Sequence, residues 1–279
     1  MKRLLAIELQ KIWLNRASRV LTLTYFIVLS LIALIASIEF DFGPFHFDAS
    51  QQGIFNFPYI WHLNSFIGAL PKIFLALVIV SMMANEYTYG TLKQNLIDGM
   101  SKKEFVLSKF LTVVVFALVS TVFIFVISLL LGLLYSTYDE VGIIFSQMDY
   151  LLAFFVKLVG FFSFCLFLGV LIKRSAFAIG FLFVWYLTEK IGYGIIGKFV
   201  VGDFDTTYDY FFKYLPLESM SNLIIEPFTR LELIQAIGNQ VGVSEPKIYS
   251  VDYTMVFTVL CWTAIFIWGS YALIRKRDL

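Results

Sequence analysis

Six long apolar segments constrain this chain more than any other feature of its sequence. A helix needs about 20 mostly apolar residues to cross about 30 Å of hydrocarbon. The six segments are Val20–Ile38, Phe66–Ala84, Phe110–Leu134, Leu151–Ile172, Ala176–Ile196 and Met255–Ile274. These long, unbroken runs exclude a membrane β-barrel, whose strands alternate over about ten residues. The sequence therefore predicts an all-α polytopic membrane protein with six transmembrane helices, forming one domain over residues 1–279.

The composition supports this class because 59% of the 279 residues are hydrophobic and only 15% are charged. A soluble domain has about 25% charged residues. Residues 1–19 are polar and basic, and the first apolar run is longer than the core of a cleavable signal, so we expect it to remain as an anchor. The net charge of +1 gives no reason to expect a nucleic-acid partner.

The distribution of Lys and Arg predicts the orientation of the helices. Fourteen of the 21 basic residues fall before the first span, between spans two and three, between spans four and five, and after the last span. Residues 39–65 and 135–150 contain six acids and no basic residue. Since the basic side of a membrane protein faces the cytoplasm, both termini are predicted to be cytoplasmic. We expect the membrane to be a bacterial inner membrane.

Two segments outside the spans have helical patterns. In residues 1–19, Leu5, Leu9 and Ile12 fall on one face, and the basic residues suggest a helix lying in the cytoplasmic interface. Residues 197–254 should lie outside as a lid or re-entrant cap, with aromatic residues clustered before Pro216. The spacing of Leu231, Ile234 and Ile237 within that segment predicts a short surface helix.

The sequence offers little for catalysis or metal binding. The two histidines, His46 and His62, both fall in the predicted first outer segment, and no zinc-protease motif is present. Residues 192–199 approach a phosphate-binding loop, but Phe199 occupies the position that requires Ser or Thr. We therefore expect no catalytic residue, no metal and no cofactor in this chain. Cys165 and Cys261 lie inside apolar segments and are expected to be inert thiols.

Three charges lie inside predicted spans, namely Lys72, Lys157 and Glu189. At helical rise, all three fall about 18–23 Å from the cytoplasmic edge. A charge at such depth is costly unless it is paired or hydrated, or reaches the interface. Glu189 could pair with Lys157 or Lys72, or both lysines could extend outward to the interface.

Residues 85–109, between the second and third spans, carry the most informative motif. The pattern predicts a short helix, a break at Gly99 and a new helix that begins with a Ser101–Glu104 capping box. A short polar helix projecting from a bundle is suited to docking a cytoplasmic partner, although an ordinary connecting loop would explain it as well.

The pattern of this loop resembles the corresponding loop of the ABC type-2 permease family. The matching residues are Glu86, Gly90, Thr91, Leu92, Ser101, Lys102 and Lys109. Met100 departs from the family, many of whose members have Pro there, and Lys102 stands where they have Arg. The basic first helix, the six spans and the long outer segment before the last span are similar to the family along the whole chain.

The resemblance implies a non-catalytic exporter subunit that works by conformational coupling. Residues 85–109 would hold the coupling helix, residues 1–19 the interfacial elbow helix and residues 197–254 the extracellular cap. Two cytoplasmic ABC ATPase subunits would bind ATP and Mg²⁺, and a second permease copy would complete a homo- or heterodimer. The aromatic outer segment suggests a hydrophobic or amphipathic substrate.

Two alternatives remain at the level of the sequence. A secondary transporter could use Lys72, Lys157 and Glu189 as coupling charges, and would be favoured by inverted repeats, of which no clear example is visible. The chain could also be a non-transporting scaffold of an envelope machine.

Overall fold

The chain is an integral membrane protein built almost entirely of helices, as shown by a computed structural model. The structure describes residues 2–36, 40–42, 45–47, 53–196, 198–199, 210–230 and 249–277. The helices are α1 Lys2–Leu14, α2 Arg16–Ala36, α3 Tyr59–Gly68, α4 Ile73–Thr88, α5 Thr91–Ile97, α6 Lys102–Tyr135, α7 Val141–Ile144, α8 Asp149–Ile172, α9 Ser175–Ile196, α10 Pro216–Asn222 and α11 Tyr253–Lys276. Two three-residue strands, β1 Phe40–Phe42 and β2 Phe45–Phe47, pair antiparallel between α2 and α3.

Six helical segments of the described residues are long and apolar enough to cross a membrane, which confirms the predicted number. They are Arg16–Ala36, Tyr59–Thr88, Lys102–Tyr135, Val141–Ile172, Ser175–Ile196 and Tyr253–Lys276. The fifth runs as one helix through Gly192 to Ile196, so the chain does not turn back at that glycine.

The second span begins earlier than the sequence predicts and is interrupted. It starts at Tyr59 in α3, and a 3₁₀ turn at Leu70–Lys72 separates α3 from α4. The helix breaks here because Pro71 lacks a backbone N–H and its ring disfavours continuation of the preceding helix. His62, predicted to lie in an outer loop, is therefore part of this span and is buried.

Helix α8 is the centre of the bundle. Of its 24 residues, 18 are buried, whereas α2 and α9 bury only three residues each. Helices α4, α6, α9 and α11 pack around α8. Close packing requires Gly160, since a Cβ there would lie 2.6 Å from Val259 Cγ1 on α11. The remaining apolar surface of α2 and α9 is exposed and suited to lipid.

Hydrogen bonds from polar side chains connect the helix ends on one face of the bundle, which we call the basic face. It comprises α1, the ends of α4, α8 and α11, the start of α6 and helix α5. Arg277 donates hydrogen bonds to Tyr87 Oη (2.8 Å) and to the carbonyl oxygens of Val170 (2.7 Å) and Leu171 (3.2 Å). These bonds join the end of the last span to α4 and α8.

The long segment before the last span is described only in part. Helix α10 packs against α8, α9 and α11, and Phe212 just before it is buried. The surface helix predicted at Leu231, Ile234 and Ile237 lies outside the described residues.

Candidate functional site

The turn between α4 and α5 depends on Gly90, which has a φ of +69°. This left-handed conformation is costly for residues with a Cβ and natural for glycine. Thr91 then starts α5, and Leu92, only 2% exposed, packs inward. The capping box predicted for α6 is present: Ser101 Oγ accepts from Glu104 N at 3.1 Å, and Glu104 Oε2 accepts from Ser101 N at 3.0 Å.

A buried charge cluster lies behind this turn and consists of Glu8, Lys11, Glu86, Thr91 and Lys109. Lys109 Nζ lies 2.5 Å from Glu8 Oε2 and 2.6 Å from Glu86 Oε1. Lys11 Nζ contacts Glu86 Oε1 at 3.0 Å, and Thr91 Oγ1 donates to Glu86 Oε2 at 2.6 Å. One cluster thus connects α1, the end of α4, the start of α5 and the first turns of α6.

The cluster is compact and mostly removed from solvent. The side chains of Glu8, Glu86 and Lys109 are 6%, 4% and 1% exposed, whereas that of Lys11 is 41% exposed. Partial burial lowers the pKa of Lys11, but the carboxylates of Glu8 and Glu86 outweigh it and leave that pKa raised. Removal of one partner from such a buried cluster leaves an uncompensated charge, which is far more costly than loss of a surface ion pair.

Helix α5 presents its opposite side to solvent. Ile97 near its end is 76% exposed, and Lys93, Gln94 and Asp98 are exposed as well. An exposed isoleucine among polar residues, on a short helix held at its first residue, is a suitable anchor for a partner protein.

Lys102 connects α6 to the last span. Its Nζ donates to the carbonyl oxygens of Arg275 (3.2 Å) and Arg277 (3.0 Å), where α11 ends and its carbonyls have no partner within the helix. The seven loop residues singled out in the sequence therefore fall into three groups with different roles. Glu86, Thr91 and Lys109 form the cluster, Gly90 and Leu92 shape and anchor the turn, and Ser101 and Lys102 fix the start of α6.

Glu8 is the member of the cluster that sequence reasoning missed. Its neighbours Leu5, Leu9 and Ile12 defined the apolar face of α1, and Glu8 lies on that same face. An acid on an apolar face indicates a buried cationic partner, and this was the available signal. Lys11 is one of the basic residues of 1–19 that suggested an interfacial helix, and it binds Glu86.

The three intramembrane charges contact different partners. Glu189 accepts hydrogen bonds from Trp185 Nε1 (2.7 Å) and from the backbone N–H groups of Leu217 (3.3 Å) and Glu218 (3.0 Å), at the start of α10. Lys157 donates to the Ser221 carbonyl oxygen at 3.3 Å, near the end of α10. Within the described part of the chain, Glu189 forms no ion pair with either lysine.

Lys72 lies apart from α10. Its Nζ is 4.6 Å from the centre of the Phe161 ring on α8. A cation over an aromatic face is stabilised by the negative face of the ring. Glu189 and Lys157 therefore hold the two ends of α10, and Lys72 joins the Pro71 turn to α8.

A second polar cluster, which the sequence did not reveal, closes the face opposite the basic one. The His62 ring stacks on Tyr150 at 4.3 Å, its Nε2 lies 2.8 Å from the Ile225 carbonyl oxygen, and its Nδ1 lies 3.2 Å from Arg230 Nη1. These contacts join α3 and α8 to residues 225–230. All the contacts cross more than 80 positions of sequence, so no local pattern could indicate them.

Comparison with known proteins identifies a family. A family model described as "Protein of unknown function (DUF2705)" matches residues 26–279, and the chain therefore belongs to this family. The chain is also 33% identical over 66 residues to "Uncharacterized protein YhcI" of Bacillus subtilis (strain 168). That match covers 24% of this chain and 21% of the relative, so it spans about a fifth of the relative's length.

Proposed function

We propose that this member of the DUF2705 family is the transmembrane permease subunit of an ATP-binding cassette exporter. The basic face would lie in the bacterial cytoplasm, and helix α5 would be the coupling helix that docks on a separate ATPase. The proposal rests on the loop residues that resemble the ABC type-2 permeases and on the distribution of basic residues.

The observation that carries the proposal is the buried charge cluster at the first turn of α5. Through Thr91 and Glu86, α5 is bonded to α4, and through Lys109 and Lys11 the same carboxylate is bonded to α6 and α1. A force applied at the exposed Ile97 would therefore act on two membrane spans and on α1 together. A connecting loop without a coupling role needs no such rigid attachment.

The remaining parts of the machine follow from this role. The permease would contribute no catalytic group, and ATP and Mg²⁺ would bind in the partner ATPase. A second permease copy, identical or related, would complete the assembly. Helix α1 would serve as the interfacial elbow, residues 197–254 would form the extracellular cap, and the substrate would be hydrophobic or amphipathic.

The positions of the intramembrane charges give less support to a secondary transporter. Glu189 and Lys157 bond to the backbone at the two ends of α10, so a structural role accounts for both. A coupling charge would need to exchange partners during transport.

The test uses any ATPase with a phosphate loop and an ABC signature motif that a gene beside this one encodes. We expect the two proteins to co-purify, and Ile97→Asp to weaken binding at least about tenfold because an apolar anchor becomes charged. Val141→Asp is the matched control, since Val141 is also exposed (69%) but lies on α7 at the opposite face.

A second variant separates docking from coupling. Thr91→Val removes the hydroxyl that bonds to Glu86 and leaves Ile97 in place, so the ATPase should still bind while its stimulation by substrate falls. Absence of co-purification, or equal binding by wild type and Ile97→Asp, would refute the proposal.

A further inference from the structure

An apolar groove of about 630 Å³ runs between α6 and α11 on the outside of the bundle. Its wall is almost entirely hydrocarbon, with Val106 and Phe110 on α6 and Ala264, Ile267 and Trp268 on α11. Trp268 is 70% exposed, so the groove opens on the outer surface of the helix bundle.

The length of the groove corresponds to one leaflet of a bilayer. On α11 it extends from Leu260 to Tyr271, which is about 16 Å at helical rise. Half of a hydrocarbon core is about 15 Å. Tyr271 lies at the end nearest the basic face, where tyrosine is common at a membrane interface.

Two basic side chains stand at that same end. Lys103 lines the groove at the start of α6, and Arg275 follows Tyr271 by one helical turn on the same face of α11. Both side chains are exposed and make no ion pair within the described residues. The bond from Lys102 Nζ to the Arg275 carbonyl oxygen holds the two helix ends together.

The acid next to Lys103 in sequence forms no ion pair with it. Glu104 follows Lys103 directly, but its carboxylate accepts hydrogen bonds from the N–H and hydroxyl of Ser101. The groove thus has an apolar floor of leaflet length and a positive end at headgroup level. Basic pockets between membrane helices favour anionic headgroups.

We propose that this groove is a binding site for an anionic glycerophospholipid of the leaflet at the basic face. An acyl chain lies along Ala264 and Trp268, and the headgroup phosphate binds Lys103 and Arg275. The site does not depend on the proposed transport function, because it requires only the described helices and a bilayer.

The test is native mass spectrometry of the full chain released from mixed micelles with equal amounts of phosphatidylglycerol and phosphatidylcholine. Wild type should retain phosphatidylglycerol severalfold over phosphatidylcholine. The double variant Lys103→Ala/Arg275→Ala should lose this preference. The charge-matched control Arg16→Ala/Arg19→Ala removes two exposed basic residues from the start of α2 and should keep it.

Two further variants locate the lipid in the groove. Ala264→Phe fills the groove at an exposed position and should reduce retention with both charges intact. Phosphatidylglycerol brominated on its acyl chain should quench the fluorescence component that disappears in Trp268→Phe, and should do so more than brominated phosphatidylcholine at equal mole fraction.

Three outcomes would overturn the site: equal retention of the two lipids by wild type, unchanged preference in Lys103→Ala/Arg275→Ala, or a Trp268 component that neither brominated lipid quenches. The last outcome would show that the groove is covered by protein, for example by a second copy.

Discussion

Lys109 is the residue on which the basic-face cluster depends. It is an almost fully buried cation between the carboxylates of Glu8 and Glu86, and among the described residues it is the one side chain that contacts both at 2.6 Å or less. Without it, two carboxylates would face each other, with only the half-exposed Lys11 to compensate.

We therefore expect Lys109→Met to destabilise the fold by about 3–5 kcal/mol, the usual cost of breaking a buried ion pair from one side. The measurement is thermal unfolding in detergent. Lys276→Met removes an exposed cation from the end of α11 and should leave the melting temperature almost unchanged. If both variants melt with the wild type, the buried cluster does not contribute to stability.

Substitutions of Gly90 measure the cost of its backbone conformation rather than the loss of a side-chain contact. A Cβ there would meet nothing within 4 Å, so any effect must come from its φ of +69°. We expect Gly90→Ala to cost about 1–2 kcal/mol and Gly90→Asn less, because asparagine tolerates this conformation better. Gly180→Ala, which also has open space but an ordinary helical φ, should be neutral or slightly stabilising. Equal melting of all three would show that the turn relaxes.

The sequence indicated part of this site and could not indicate the rest. The capping box of Ser101 and Glu104 is a local motif, so its spacing was sufficient to predict it. The contact between Glu8 and Lys109 crosses 101 positions, and it depends on how α1 packs against α6. Only the position of Glu8 on an apolar face hinted that it has a buried partner.

At the scale of elements, α10 is held by two charges that come from two different spans. Glu189 on α9 accepts hydrogen bonds from the first backbone N–H groups of α10. Lys157 on α8 donates to a backbone carbonyl in the last turn of α10. This arrangement explains both charges without a bond between them.

The arrangement makes a definite prediction for a charge swap. In Glu189→Lys/Lys157→Glu, a cation faces N–H donors and a carboxylate faces a carbonyl acceptor, so both contacts are lost. We expect the double variant to be at least as unstable as the worse single variant, measured by thermal unfolding in detergent. Rescue by the swap would instead indicate that the two side chains pair directly.

The long spans were predictable because twenty apolar residues have few alternatives in a membrane. The break at Leu70–Lys72 was not predicted, and Pro71 was the available signal for it. The apolar residues around Pro71 hid the extension of the span back to Tyr59. The position of α10 was not predictable, since it is fixed by contacts with α8, α9 and α11.

For the whole molecule, the alternation of six spans predicts which loops share a side of the membrane. In a background of Cys165→Ala and Cys261→Ala, we expect Val141→Cys to react with a membrane-impermeant maleimide in intact cells. Arg174→Cys, in the exposed turn between α8 and α9, should react only after the membrane is opened. Labelling in the reverse order would place the basic face outside.

The burial of α8 also has a consequence for how the protein is made. Synthesis completes α8 long before α11, which covers Gly160, and before α10, which accepts the bond from Lys157. During that interval the nascent chain must hold α8, with Lys157 within the helix, in the bilayer without its later neighbours. We expect ribosome-bound chains arrested before residue 210 to crosslink to membrane insertases through α8, and chains released at that length to be degraded.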